Sequence, residues 1–402
     1  MNPSRLVLCG VVTLAASHSV QAADIQTVPA IELQAEQNDN FGLDPGGSPS
    51  STTGYVANAE VLFSIATPRG ETLLLPRVRY QDYQDIDNIE RVETFLNADS
   101  TYRWERAVFI VNGSYSKRDV YNTETLDGSF DPNDPGDPGN PESGTTTTGE
   151  TRQLLEVRPN YEYRLTQRLG LGVEAAYQIA NYSSTDAVTK SDYDYALVGG
   201  YLSWSTSERG KFRAGAYGST FETDDGTETV DALGGEIGYG FLWSATDGIE
   251  VTAFYEQNDI TEITPFGTEK VTTSDVGGSL TAYRKLEVSD WRLALSRRFA
   301  PTGDGSKSTI DELRLQYDRD LSERLHLRGA GRFESRRGLS DISGGNDRDY
   351  ARVDIDLRWF ITPTWYVGGG YAYIWQDREA DPGNADNNKF FLRFGYQALA
   401  RR

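Results

Sequence analysis

Apolar residues recur at every second position along most of the chain, in stretches of about 10 to 14 residues, which is the period of a strand and not of a helix. In one stretch Leu155, Val157, Pro159, Tyr161 and Tyr163 alternate with Glu156, Arg158, Asn160, Glu162 and Arg164. Leu169, Leu171, Val173, Ala175 and Tyr177 form a second such row, and Ala351, Val353, Ile355, Leu357 and Trp359 alternate with Arg352, Asp354, Asp356 and Arg358. One face of each stretch is apolar and the other is charged. Eighteen such segments are predicted, near 31–40, 55–67, 71–83, 92–104, 107–118, 151–164, 169–182, 192–205, 211–223, 228–243, 249–258, 271–286, 289–299, 309–321, 325–336, 348–361, 365–376 and 387–398. The register is ambiguous in 192–205 and 211–223, where Gly199-Gly200 suggests a bulge.

The connections alternate between short and long. Thr67-Pro68-Arg69-Gly70, Thr166-Gln167-Arg168, Ser322-Glu323-Arg324 and Thr362-Pro363-Thr364 read as tight turns, whereas 41–54, 119–150, 259–270 and 377–386 are polar and rich in Gly, Pro and Asp. Strands of a soluble sandwich are usually about five or six residues. Segments twice that length, with short turns at one end, long loops at the other and an even count, fit an all-β, antiparallel up-and-down transmembrane β-barrel of about 18 strands, with 16 as the nearest alternative. Six of the seven tryptophans (Trp104, Trp204, Trp243, Trp291, Trp359 and Trp365) lie near short turns, where an aromatic girdle belongs. Lys117 and Arg297 break the apolar face toward the long loops, and Arg284 and Arg319 toward the short turns. There they can reach headgroups or lipopolysaccharide phosphates. The expected partners are therefore the lipid bilayer, lipopolysaccharide and the barrel-assembly machinery.

The amino terminus has the order of a secretory signal: Arg5, an apolar stretch from Leu6 to Ala16, and Val20-Gln21-Ala22 before Ala23. Residues 1–22 are read as a signal peptide cleaved between Ala22 and Ala23, and 23–402 as one outer-membrane barrel domain with a long external loop at 119–150. Cleavage removes the single cysteine, Cys9, and leaves His326 as the one histidine. No disulfide framework and no His or Cys cluster for a metal remains. The formal charge of −21 disfavours nucleic acid as a partner.

The element Glu36-Gln37-Asn38-Asp39-Asn40-Phe41, together with the strand pattern of the whole mature chain, resembles the family of β-barrel porins met beside exopolysaccharide genes in Gram-negative bacteria. The aromatic usually found before the Asp of that element is absent here, and the chain ends in Arg401-Arg402 where many barrels end in Phe. The even strand count places both termini on the periplasmic side, and the resemblance implies an outer-membrane location, the barrel fold and a loose link to polysaccharide, a further partner. It implies no catalytic residue and no cofactor.

An enzymatic barrel needs a histidine beside a nucleophile or a carboxylate, and His326 sits just past a short turn, where a hydrogen bond to a neighbouring strand accounts for it. No enzyme activity is expected. The pore-lining candidates are Arg292, Arg298, Arg314, Arg328, Arg332, Arg352, Asp354, Asp356 and Arg358, with Arg336 on the same face. Asp290, Glu312, Asp318, Asp320 and Glu334 share those faces, so the wall reads as a mixed ladder of both signs, while most of the net negative charge falls on the long connections. Loop 119–150, which includes the tract Asp131 to Pro141, carries acids and no base and is expected to stay outside as a solvated loop; weak Ca²⁺ binding is the lesser alternative. Two functions remain open: a passive channel for small polar or saccharide-like solutes, or a non-conducting structural or export-accessory barrel.

Overall fold

A computed structural model describes residues 23–45, 51–84, 86, 89–125, 149–184, 190–264, 267–339, 347–379 and 383–398. The signal-peptide reading of 1–22 and the tract from Asp131 to Pro141 lie outside them. Eighteen strands form: β1 (Asp24–Asn38), β2 (Thr52–Thr67), β3 (Gly70–Tyr83), β4 (Val92–Arg103), β5 (Ala107–Asp119), β6 (Glu150–Arg164), β7 (Leu169–Ser184), β8 (Tyr193–Ser205) and β9 (Gly210–Thr223) make the first half. The second half is β10 (Glu228–Leu242), β11 (Asp247–Thr264), β12 (Gly267–Lys285), β13 (Ser289–Pro301), β14 (Lys307–Asp320), β15 (Leu325–Gly338), β16 (Arg348–Phe360), β17 (Trp365–Arg378) and β18 (Asn384–Gln397). One short helix, α1 (Val120–Glu124), follows β5. Each strand pairs antiparallel with its sequence neighbours, and β1 also pairs with β18, so the sheet closes into a barrel with no free edge strand. Closure pairs every strand on both sides, so that no strand presents a whole open edge.

Side-chain parity around the wall follows the sequence alternation. Val353, Ile355, Leu357 and Trp359 are all exposed outward, while Asp356, between them, is buried. Six of the seven tryptophans flank the short turns as expected, Trp375 lying toward the long connection after β17; Trp104, Trp204, Trp243, Trp359 and Trp365 are all exposed. β1 begins and β18 ends at the short-turn end of the barrel, because an even number of antiparallel strands returns the chain to its starting side.

Three expectations are corrected. Residues 259–264 and 267–270 are strand and not loop: β11 runs to Thr264 and β12 starts at Gly267, paired rung by rung. The β-branched residues Ile260, Thr261, Ile263, Val271, Thr272 and Thr273 favour extended pairing over the local charge that suggested a loop. Gly199-Gly200 forms no bulge, since the ladders of β8 with β7 and β9 run unbroken through it. The glycine serves close packing instead: a Cβ on Gly199 would lie 3.1 Å from that of Tyr217. The third correction concerns loop 119–150, whose described start turns into the barrel mouth.

Candidate functional site

The lumen is built from the inward parity of every strand, and its two halves differ. Toward the short turns the inward side chains are half-exposed and paired: Arg328 with Asp318 at 2.7 Å, Lys211 with Glu162 at 2.9 Å, and Arg213 with Glu174 at 2.5 Å and Glu236 at 2.7 Å. His326 bonds to Asp320 on the adjacent strand, as its position at the rim suggested.

Toward the long loops the lumen is packed. Arg332 lies between Glu312 at 2.8 Å and Glu334 at 2.6 Å, and Arg336 shares Glu334 at 3.3 Å; all four side chains are 2% exposed or less. Arg314 faces Glu312 at 4.0 Å, and Arg298 points into the same cluster. Ions removed from water this far are tolerable only when each meets an opposite charge. The network spans β13, β14 and β15 because equivalent inward positions on neighbouring strands stack side by side.

All nine pore-lining candidates fall on this inner face. Arg352 grips Asp354 at 2.7 Å, Arg358 holds Asp356 at 3.0 Å, and Arg393 of β18 reaches the second oxygen of Asp356 at 2.9 Å. Arg292 lies beside Asp290 lower on β13. Arg314, Arg328, Arg332, Arg352 and Arg358 are thus members of ion pairs with acids on their own or adjacent strands, and the wall is a mixed ladder.

The start of loop 119–150 joins this packing. Asp119 caps α1 by accepting from the Tyr121 N–H at 2.9 Å. The helix crosses toward the far wall, where Glu124 meets Arg348 at 2.9 Å with both side chains 1% exposed or less, and the Thr125 carbonyl accepts from Arg352. Tyr121 stacks on Phe41 with centroids 4.3 Å apart, and Phe41 leans on Tyr83 at 4.6 Å. Burial pushes the Tyr121 phenol well above its ordinary pKa. The expectation of an external, solvated loop fails for 120–125 because Val120, Tyr121 and Glu124 find apolar and cationic partners inside the mouth. No charge count could reveal those partners.

Sequence reasoning also missed the acids and aromatics that make the packing. Glu36 bonds Lys389 at 2.6 Å and the Tyr83 hydroxyl at 2.6 Å. Glu93 lies against Arg79, and Asn122 donates to it at 2.8 Å. A second, apolar cluster fills the opposite side of the mouth: Val120, Leu154, Ala180, Tyr182, Tyr193, Phe221, Val230 and Ile260. The one signal available was Glu36 to Phe41, whose Asn40 bonds the carbonyls of Asp44 at 3.2 Å and Asp386 at 3.0 Å, tying the first loop across the β1–β18 closure. Among the described residues no group of three or more His, Cys, Asp or Glu is placed to hold a metal ion.

No protein-family model matches the chain, and no curated protein sequence matches it. Solved structures that align along its length include Acinetobacter baumannii OccAB3, at 10% identity and TM-score 0.45, covering 93% of this chain and 100% of that one. Pseudomonas aeruginosa OpdO aligns at 11% identity and TM-score 0.44 over 94% and 98% of the two chains, and OpdQ of the same organism at 9% and 0.43 over 94% and 100%. The barrel assignment rests on the closed sheet itself.

Proposed function

We propose that the protein is an outer-membrane, porin-like channel of a Gram-negative bacterium for passive passage of small polar or saccharide-like solutes, without enzymatic activity. The observation that carries this reading is the two-faced wall: a closed 18-stranded barrel with an apolar outer face and an inner face of paired charges. Such a wall suits lipid outside and water inside, and barrels of 16 to 18 strands are wide enough for an aqueous lumen. The ion-paired arginines Arg314, Arg328, Arg332, Arg352 and Arg358 favour neutral or zwitterionic polar solutes over tight anion capture, since each of the five lies against a carboxylate. In this reading the short turns and both termini face the periplasm, the long connections face outward among lipopolysaccharide, and the barrel-assembly machinery inserts the chain. Polysaccharide as a source of solute follows from the resemblance of Glu36 to Phe41.

The second reading, a non-conducting export-accessory barrel, draws support from the dry packing of the loop-side half. Conductance of the purified protein in a planar bilayer, with liposome swelling in mono- and disaccharides, decides between them. Stepwise conductance and swelling support the channel. A silent bilayer at every voltage overturns it in favour of the structural barrel.

A further inference from the structure

The ladder between β12 and β13 stops early. It runs from Lys285↔Asp290 to Gly278↔Arg297, although β13 continues to Pro301 and β12 extends back to Gly267. The next rungs in that register, Gly277–Arg298, Val276–Phe299, Asp275–Ala300 and Ser274–Pro301, are not made. Both strands stay paired on their other sides, β12 with β11 to its last rung and β13 with β14 to Pro301↔Lys307. The wall therefore has a seam on its loop side.

Parity shows where the freed hairpin goes. On β14 Lys307 belongs to the row of Asp311, Leu313 and Leu315, and on β13 Phe299 belongs to the row of Leu295 and Arg297; both are the outward rows. On β11 Phe254, Glu256 and Asn258 belong to the inward row. Yet Lys307 Nζ lies 2.6 Å from Glu256 Oε1 and 2.9 Å from Asn258 Oδ1, and the Phe299 ring centroid is 5.6 Å from that of Phe254. Wall-side groups of the β13–β14 hairpin touch lumen-side groups of β11, so the hairpin has passed inside, behind β12. Its tip reaches farther: Asp304 pairs with Lys190 at 2.6 Å, and the Gly303 carbonyl accepts from the Ser191 N–H at 2.8 Å. The branch point admits only glycine. A Cβ on Gly277 would stand 2.2 Å from the Phe254 ring and 2.7 Å from the Arg297 carbonyl, and one on Gly278 would stand 2.5 Å from the Thr252 carbonyl.

We propose that the β13–β14 hairpin is a gate that exchanges one β-pairing for another. Docked, it lies across the lumen, latched by Lys307 on Glu256 and by Asp304 on Lys190. Released, it zips onto β12 through the four missing rungs, which completes the wall and clears the lumen. Phe299 and Lys307 then return to the outer face just beyond Arg297, a level at which an aromatic ring and an ammonium suit the membrane interface. The exchange is plausible in energy because main-chain bonds gained at the seam replace buried ion pairs lost inside. The proposal rests on the channel reading and deepens it by naming what opens the channel.

Two disulfide traps in the full chain test it. Ser191→Cys with Gly305→Cys holds the docked state, since a Cβ on Gly305 lies 3.4 Å from that of Ser191, close to disulfide spacing. Asp275→Cys with Ala300→Cys holds the zipped state and avoids the left-handed backbone of Gly305. Cys9 precedes the described residues and leaves the signal-processed chain without competing thiols. In planar bilayers the oxidised 191–305 form is expected to conduct at least fivefold less than its reduced form, and the oxidised 275–300 form severalfold more. Glu256→Gln with Asp304→Asn should speed the 275–300 cross-link, read on gels without any conductance measurement. Failure of that cross-link to form in the folded barrel, with or without the latch substitutions, overturns the gate and leaves the channel standing; so does equal conductance of the two trapped forms. Silence of every form, the 275–300 trap included, overturns channel and gate together.

Discussion

The two halves of the lumen are built from the same alternation of charge along the same strands, yet they are chemically different places. In the short-turn half Arg328 and Asp318 keep 40% and 33% of their side-chain surfaces. In the loop half Arg332 and Glu334 keep 1% and 2%. The strands do not differ in kind; what differs is what is laid over them. The mouth receives α1, the first loop with Phe41, and the β13–β14 hairpin, and each brings partners that replace water. A charged wall is therefore a solvated surface or a dry ionic core depending on which connections fold back onto it.

Stability measurements can break this comparison directly. Glu334→Gln leaves Arg332 and Arg336 with one carboxylate fewer in a buried site, and is expected to cost about 3–5 kcal/mol in urea unfolding of the vesicle-inserted protein. A loss below about 1 kcal/mol would mean that water reaches the loop half after all. Ile355→Arg places a charge at the centre of the outward row from Val353 to Trp359 and should cost about 2–4 kcal/mol by the same assay, if that row spans the bilayer midplane. Tolerance at that position would reverse the assignment of inner and outer faces. Asp318→Asn removes the partner of Arg328 in the open half, and screening by water limits its cost to under about 1 kcal/mol. Equal losses for Glu334→Gln and Asp318→Asn would erase the distinction between the halves.

The smallest expected effect concerns ion selectivity. The inner wall is balanced, and the net negative charge sits on the long connections, so a weak preference for cations should appear in reversal potentials at about 0.1 M salt and fade by about 1 M as the screening length falls from roughly 10 to 3 Å. Clear anion selectivity at both concentrations would mean that the arginines act unpaired.

Much of the architecture was legible in the residue order because a strand's alternation is local: Ala351 to Trp359 declares two faces without reference to any other strand, and fifteen further segments do the same, 192–205 and 211–223 being the exceptions. The tight turns at Thr166-Gln167-Arg168 and Ser322-Glu323-Arg324, the tryptophan girdle and the pairing of Arg352 with Asp354 two residues away were readable for the same reason. Contacts between distant segments were not. Phe41 meets Tyr121, and Glu124 meets Arg348, across sequence separations that no periodicity encodes. Lys307 shows the limit most plainly. Its parity, carried back from the predicted segment 309–321, marks it as a wall-side residue of β14, and the fold then carries the loop-side end of the hairpin behind β12, so that the wall side there faces the lumen. Alternation determines which side of its own strand a residue occupies; only the pairing of β12 with β13, and the point where that pairing stops, decides on which side of the barrel the strand lies.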